Sequence, residues 1–531
     1  MGDGGTVRGF RPRGAVAGVA ALALSLGAIA TVPSAVPASA GPAQTGPQCD
    51  WAMFGHDPAR SFASADGCSA ISKLTAPALR PKWYVDTSGP VTAQPAVVDG
   101  VVYVGDYGGK FHALRSADGS PAWTSPFDVT KFDANTASYG QITSSAAVAT
   151  VADASGGHAT KVVVFGGGGT LFVLDALTGT RLASQCLDAQ RPQCDGGLAE
   201  IESSPVILPQ PDGSALVLVG SDVNEASGAS STGLFEFRVT VSSNPSGGTN
   251  VALTPQWKFD PETGVTYRGA TLLTDGGTGH GCGDVWSSPT IFGGLVVFGA
   301  GNCNSPQSAP YPQTEATWAL NFAPGMPADG TVAWQRAPRA PGNGLDEDFG
   351  ATPNVLPGGV GEGGKDGNYY AYDAAGKLLW PPVSVAAGSD IGGMIASAAV
   401  GSANARPAVF AVSAIPVSTG DTPGSLQTIA TAPTKALGVH AIDATTGAKL
   451  WDAAAGPVYG AAVYAGGVVL VPDTFTDSLL ALDADTGVVL RAQPLNAPPS
   501  SPVAVVGNSL YLGSGTDVPM VGGIWGFQTT P

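Results

Sequence analysis

Glu225, Trp286, Asn302, Asp346, Asp348 and Lys365 are the residues whose types could do chemistry together. A glutamate and an asparagine offer oxygen ligands, which suit Ca2+ better than zinc. A tryptophan offers a flat face for stacking. An aspartate can take a proton, and a lysine can steady negative charge as it develops. Taken singly, each is the kind of residue that turns and surfaces carry. The surrounding chain is more specific. From Gly281 to Asn304 it reads as two strands about a Gly293-Gly294 turn, opening with Trp286 and ending in Gly301-Asn302.

That hairpin is one copy of a repeat. The unit is plainest in Leu437-Gly-Val-His-Ala-Ile-Asp-Ala-Thr-Thr-Gly-Ala-Lys-Leu-Trp451: alternating apolar residues, an Asp-x-x-Thr-Gly turn, then a strand ending in Trp. It recurs at Leu171–Gly179, Tyr370–Trp380 and Leu480–Gly487, and in degraded form at Phe111–Trp123. A hairpin precedes each copy, as in the Asp99-Gly100 turn between Ala96 and Gly105. Units start near Thr92, Thr143, Glu202, Val285, Phe349, Ile395, Tyr459 and Ser501. A four-stranded unit of roughly 40–50 residues is a propeller blade. The expected fold is therefore all-β: an eight-bladed β-propeller of four-stranded antiparallel blades over residues 79–531. The last unit stops after its third strand, Gly523–Gln528, while Leu79–Asp86 is a spare fourth strand with Trp83 in the fourth-strand position. Lending this N-terminal strand to the last blade closes the ring and removes exposed edges. Trp123, Trp257, Trp334, Trp380 and Trp451 fit the same position, and their expected role is packing between blades. Irregular stretches interrupt the middle blades, where a propeller carries ligand loops.

The first 40 residues read as a secretory signal peptide. Arg8, Arg11 and Arg13 precede an apolar run from Ala15 to Val32, and Ala38-Ser39-Ala40 fits a cleavage site. A polar arm follows, residues 41–78, with Cys49 and Cys68. All six cysteines fall in close pairs, Cys49/Cys68, Cys186/Cys194 and Cys282/Cys303. In an exported chain the default is three disulfides. The chain carries 24 basic and 41 acidic residues, a net charge of −17. That balance argues against a nucleic-acid or anionic-membrane partner. Seventy-five glycines and 43 prolines imply many turns and few helices.

The repeats resemble those of the pyrroloquinoline quinone (PQQ) repeat propellers, over essentially the whole exported chain. The nearest resemblance is to the polyvinyl alcohol dehydrogenase-like branch of the quinoprotein alcohol dehydrogenases. Four phrases carry it. Val285-Trp-Ser-Ser-Pro-Thr290 with Gly299-Ala-Gly-Asn302 resembles the segment in which a Trp stacks on PQQ and an Asn binds Ca2+. Asp346-Glu-Asp-Phe-Gly-Ala-Thr-Pro353 resembles the segment with the catalytic Asp. Gly364–Asp373 resembles the segment whose basic residue touches the PQQ carbonyls. Leu218–Glu225 resembles the segment with the Ca2+-binding Glu. The resemblance implies Trp286 as cofactor floor, Glu225, Asn302 and Asp346 toward Ca2+, Asp346 as base, and Lys365 against the quinone oxygens. Asp348 is the alternative base. Ca2+ would polarise the carbonyl that accepts hydride. Two features depart from the family: no two cysteines are adjacent, and no Cys-x-x-Cys-His haem site is present.

The expected function is a secreted PQQ- and Ca2+-dependent dehydrogenase. Its substrate would be a small or polymeric alcohol, and its electrons would pass to a separate acceptor such as a cytochrome. No nucleic-acid partner and no stable membrane insertion are expected. The alternatives are a non-catalytic propeller scaffold in the cell envelope and a carbohydrate-binding propeller. A scaffold needs none of the matching Trp, Asn, Asp and Lys phrases.

Overall fold

Each repeat opens on a short polar phrase, and the hydrogen bonds of that phrase set the architecture. In Val285-Trp-Ser-Ser-Pro the first hydroxyl, on Ser287, accepts from the N–H of Gly299 on the blade's second strand at 3.0 Å. The second, on Ser288, accepts from the N–H of Ser204 on the preceding blade at 2.9 Å. The same relay runs from Gln94 N–H to Ser145 Oγ, Ser145 to Ser204, Ser288 to Thr352 and Thr352 to Ser397. A buried hydroxyl thus satisfies a neighbouring blade's backbone donor at each step, which fixes where each blade begins.

The computed structural model describes residues 46–134, 140–154, 157–188, 194, 199–223, 232–243, 248–269, 282–301, 314–338, 348–386, 393–417 and 437–529. Eight antiparallel sheets make eight blades. Their innermost strands are Ala96–Val98, Ala147–Ala152, Val206–Pro209, Thr290–Phe292, Asn354–Leu356, Ala399–Ala403, Val463–Ala465 and Ala504–Val506. Each starts a few residues after its expected unit start. Ring closure is as the sequence implies: Arg80–Thr87 pairs antiparallel with Met520–Gln528 and supplies the last blade's outer strand. Blade three departs from four strands, adding Ala199–Glu200 at the inner end of Ala215–Val223 and Val265–Arg268 at its outer edge. Helix among the described residues amounts to three single 3-10 turns.

The fourth-strand tryptophans pack between blades. Indole N–H groups of Trp83, Trp123, Trp334 and Trp451 donate to carbonyls of Ser116, Ala176, Ala374 and Ala484, each in the next blade's turn, at 3.0–3.1 Å. Cys49–Cys68 and Cys186–Cys194 are disulfides, with Cα atoms 5.1 and 5.7 Å apart. Cys282 is also disulfide-bonded, and its expected partner Cys303 lies outside the described residues. The expected signal peptide lies outside them too, as do large parts of the expected irregular stretches.

The arm is more than a surface tail. Trp51 bonds Val97 of blade one, Ala52 bonds Val148 of blade two, and Pro58, Ala59 and Ser61 accept from Ile291, Val355 and Val400 of blades four, five and six. Phe62 and Ser64 bond Tyr464 of blade seven, and Ala70 donates to Gly507 of blade eight. Blade three is reached by Arg60, fully buried, whose guanidinium donates to Ser204 O at 3.1 Å and Pro289 O at 3.0 Å. The arm therefore touches every blade along its innermost strand and caps the hairpin-turn end of the central channel. The opposite end, where innermost strands begin and second strands finish, is left for a site.

Candidate functional site at the strand-opening end of the channel

Four backbone contacts stitch the site together from blade three to blade five. Val285 N–H donates to Ser221 O at 3.1 Å, and Gly301 N–H to Asp284 O at 2.7 Å. Phe349 N–H reaches Ala300 O at 3.4 Å, and Lys365 N–H donates to Asp348 O at 3.1 Å. Gly299 is required here: a Cβ on it would lie 2.2 Å from Phe349 O. These contacts bring Trp286, Asp348 and Lys365 to one place.

The three side chains interlock. Trp286 Nε1 donates to Asp348 Oδ2 at 3.1 Å. Lys365 Nζ lies 2.9 Å from Asp348 Oδ1 and 5.3 Å from the Trp286 ring centroid. Asp348 is buried, while the indole is half-buried. The contact between Nζ and Oδ1 is an ion pair. The ring lies over Gly350, where a Cβ would sit 1.6 Å from the indole. Gly350 holds the repeat position in blade five that Trp286 holds in blade four, so one blade's missing side chain makes room for its neighbour's ring.

Of the expected residues, Trp286 and Lys365 lie close to one another. Asp348, the alternative base, is the aspartate set against them. Asp346, Glu225 and Asn302 lie outside the described residues.

The channel wall beside this trio holds carboxylates that sequence reasoning passed over. Ligand oxygens of Glu200, Glu202 and Asp222 lie within 4.8 Å of one another. Burial pushes Glu202 up to about 7, with Lys365 pulling it back and Asp348 adding to the rise. Asp222 is held well above the usual carboxylate range by burial, then by Glu202, Glu200 and Asp284. Tyr107 of blade one is pushed up to about 12 by burial, with Glu202, Asp517 and Glu200 adding to it. A signal for Glu202 did exist: in Ile201-Glu-Ser-Ser-Pro it occupies the repeat position of Trp286. Glu200 and Asp222 become neighbours only through the extra strand pair of blade three.

Comparison with known proteins bears on what this arrangement is. A PQQ-repeat family model, described as outer membrane protein assembly factor BamB, matches residues 50–238 and 435–527, more than half of the chain. The chain belongs to this PQQ-repeat family. Trp286, Asp348 and Lys365 fall between the two matched stretches. No curated protein matches the sequence. Among solved structures, the PQQ-repeat chain is similar to the quinohemoprotein alcohol dehydrogenase ADHIIG from Pseudomonas putida, at 15% identity and a TM-score of 0.61, covering 91% of this chain and 80% of that one. It is similar to a europium-containing methanol dehydrogenase, at 15% identity and a TM-score of 0.60, covering 90% and 98%. A third is the quinohemoprotein alcohol dehydrogenase from Comamonas testosteroni, at 17% identity and a TM-score of 0.59, covering 91% and 81%. At these identities the likeness is one of fold. Among the described residues no helix is long and apolar enough to cross a membrane.

Proposed function

We propose that the protein is a quinoprotein dehydrogenase that oxidises an alcohol outside the cytoplasm, using PQQ and Ca2+. The observation that carries this reading is the meeting of a half-buried indole, a buried aspartate and a lysine at one end of the channel. The described residues fit the cofactors: a flat aromatic floor, a cation facing it, and oxygen-only donors around it that suit a hard metal ion. When bound, PQQ supplies an ortho-quinone that accepts two electrons.

The chain's own part is to position and to move a proton. Trp286 orients a flat ring, and Gly350 sets the height of that floor. Asp348 Oδ1 takes the alcohol's hydroxyl proton, while the Trp286 N–H on Oδ2 fixes the carboxylate's direction. Lys365 pairs with Asp348 and would offer positive charge where the quinone oxygens would lie. Glu225, Asn302 and Asp346 are the residues the sequence points to for Ca2+. Disulfides agree with an oxidising compartment, and export by the segment 1–40 is part of the proposal. Electrons pass to a separate acceptor such as a cytochrome, and the alcohol is small or polymeric.

A second reading, a binding or assembly scaffold of the cell envelope, is favoured by the description of the matching family model and by its omission of the Trp286 and Asp348 segments. Reconstitution separates the two. Purified protein with PQQ and Ca2+ should reduce an artificial electron acceptor when alcohol is added. Absence of PQQ binding at micromolar concentrations would sink the dehydrogenase.

A further inference from the structure

We propose that Glu200, Glu202 and Asp222 form a cation site of their own on the channel wall of blade three, built for a hard cation the size of Ca2+. Glu200 and Asp222 face each other across the added strand pair, and Glu202 lies two residues on. Their ligand oxygens fall within 4.8 Å of one another. Oxygens bound at about 2.3–2.6 Å on opposite sides of one Ca2+ stand about 4.6–5.2 Å apart, so a single ion can reach all three.

A second observation points the same way. Asp222 is only 8% exposed, and its Oδ1 has no hydrogen-bond partner among the described residues. The charges acting on it most strongly, those of Glu202, Glu200 and Asp284, are all negative. A buried carboxylate with an unpartnered oxygen, among others of its own sign, is stabilised by a proton or a cation. With all three deprotonated, as cation binding requires, the carboxylates give −3, so a trivalent ion of similar radius is held more tightly than Ca2+.

This site uses none of Glu225, Asn302 or Asp346, and it does not rest on the dehydrogenase reading, since three carboxylates hold a cation with no quinone present. The test uses the full exported chain without PQQ, titrated with Tb3+ as a luminescent probe and with Ca2+ as competitor. Trp286 follows Val285, which is bonded to Ser221 beside Asp222, so its indole can sensitise the probe. Saturable Tb3+ luminescence, displaced by Ca2+, is expected, with a Ca2+-dependent rise in melting temperature. Asp222→Asn should weaken Tb3+ at least tenfold and abolish the rise, yet raise the melting temperature of the cation-free protein by relieving repulsion. The partly exposed Glu202→Gln should weaken Tb3+ likewise, which guards against a folding defect in the first variant. Glu225→Gln should leave Tb3+ binding unchanged. The proposal is overturned if Glu225→Gln abolishes binding while Asp222→Asn does not, or if wild-type protein shows no saturable site.

Discussion

Asp348 and Lys365 are tied twice: their backbones bond at 3.1 Å and their side chains form an ion pair at 2.9 Å. The first contact belongs to the fold and the second to the site, so the lysine cannot be placed without placing the aspartate. That coupling favours Asp348 as the base. In reconstituted enzyme Asp348→Asn should lower kcat by about 10²–10⁴-fold, the usual loss for a general base. Asp346→Asn should act through metal affinity, raising the Ca2+ needed for half-maximal activity. Steady-state assays at saturating and limiting Ca2+ distinguish them, and equal kcat losses in both variants would contradict the assignment.

Gly350 offers a change at the site that touches no reacting group. An added Cβ would sit 1.6 Å from the Trp286 ring, so the indole must leave its seat. Gly350→Ala should weaken PQQ binding at least tenfold by tryptophan quenching. Its melting temperature should move by only a few degrees, because the half-buried ring has solvent to move into.

Arg60 joins the arm to the ring. It is fully buried and donates to carbonyls of Phe54, Ser204 and Pro289. Removing the guanidinium strands buried acceptors, each costing about 1–3 kcal/mol. Arg60→Met should therefore lower the melting temperature by roughly 5–10 °C. An unchanged melting curve would mean that the arm is not integral to the fold.

Blade three supplies a pH-dependent contribution away from the site. Glu236 is buried beside Asp329, whose Oδ2 accepts from Trp257 Nε1 at 3.0 Å. Burial and then Asp329 push Glu236 up to about 8, against the opposing pull of Arg238 and Arg268. A carboxyl whose folded value exceeds its unfolded 4.5 stabilises the fold fully below about pH 4.5. That contribution erodes as pH rises and is gone once pH passes about 8, a loss on the order of 3 kcal/mol. Wild-type melting temperature should fall from about pH 6 to about pH 9, and Glu236→Gln should flatten this part of the profile. Parallel profiles would show that the proton is not on Glu236.

How far the sequence reaches depends on the kind of information each feature needs. The repeat announced the blades because each strand's alternation and each Asp-x-x-Thr-Gly turn are local. Ring closure was legible from a count of strands at the two ends. Trp286 stood out because its phrase adds a Trp to the repeat, and Lys365 because its phrase resembles the quinoprotein segment with a basic residue. Asp346 and Asp348 stand two positions apart in the sequence, and the bond from Trp286 and the pair with Lys365, which mark Asp348, have no local signature. The arm gave no sign of its role, since polar and turn residues around Trp51 look alike whether they lie on a surface or across a channel.

By itself, the chain determined an eight-bladed ring closed by its N-terminal strand, because hydrogen-bond periodicity and apolar alternation are written residue by residue. Tertiary structure alone decided three things. It set Asp348 beside the indole, it sent the arm across the hairpin-turn end, and it placed Glu200 against Asp222 through an added strand pair. Each is a contact between segments far apart in sequence or unlike in pattern, and charge or shape complementarity at that range leaves no local period to read.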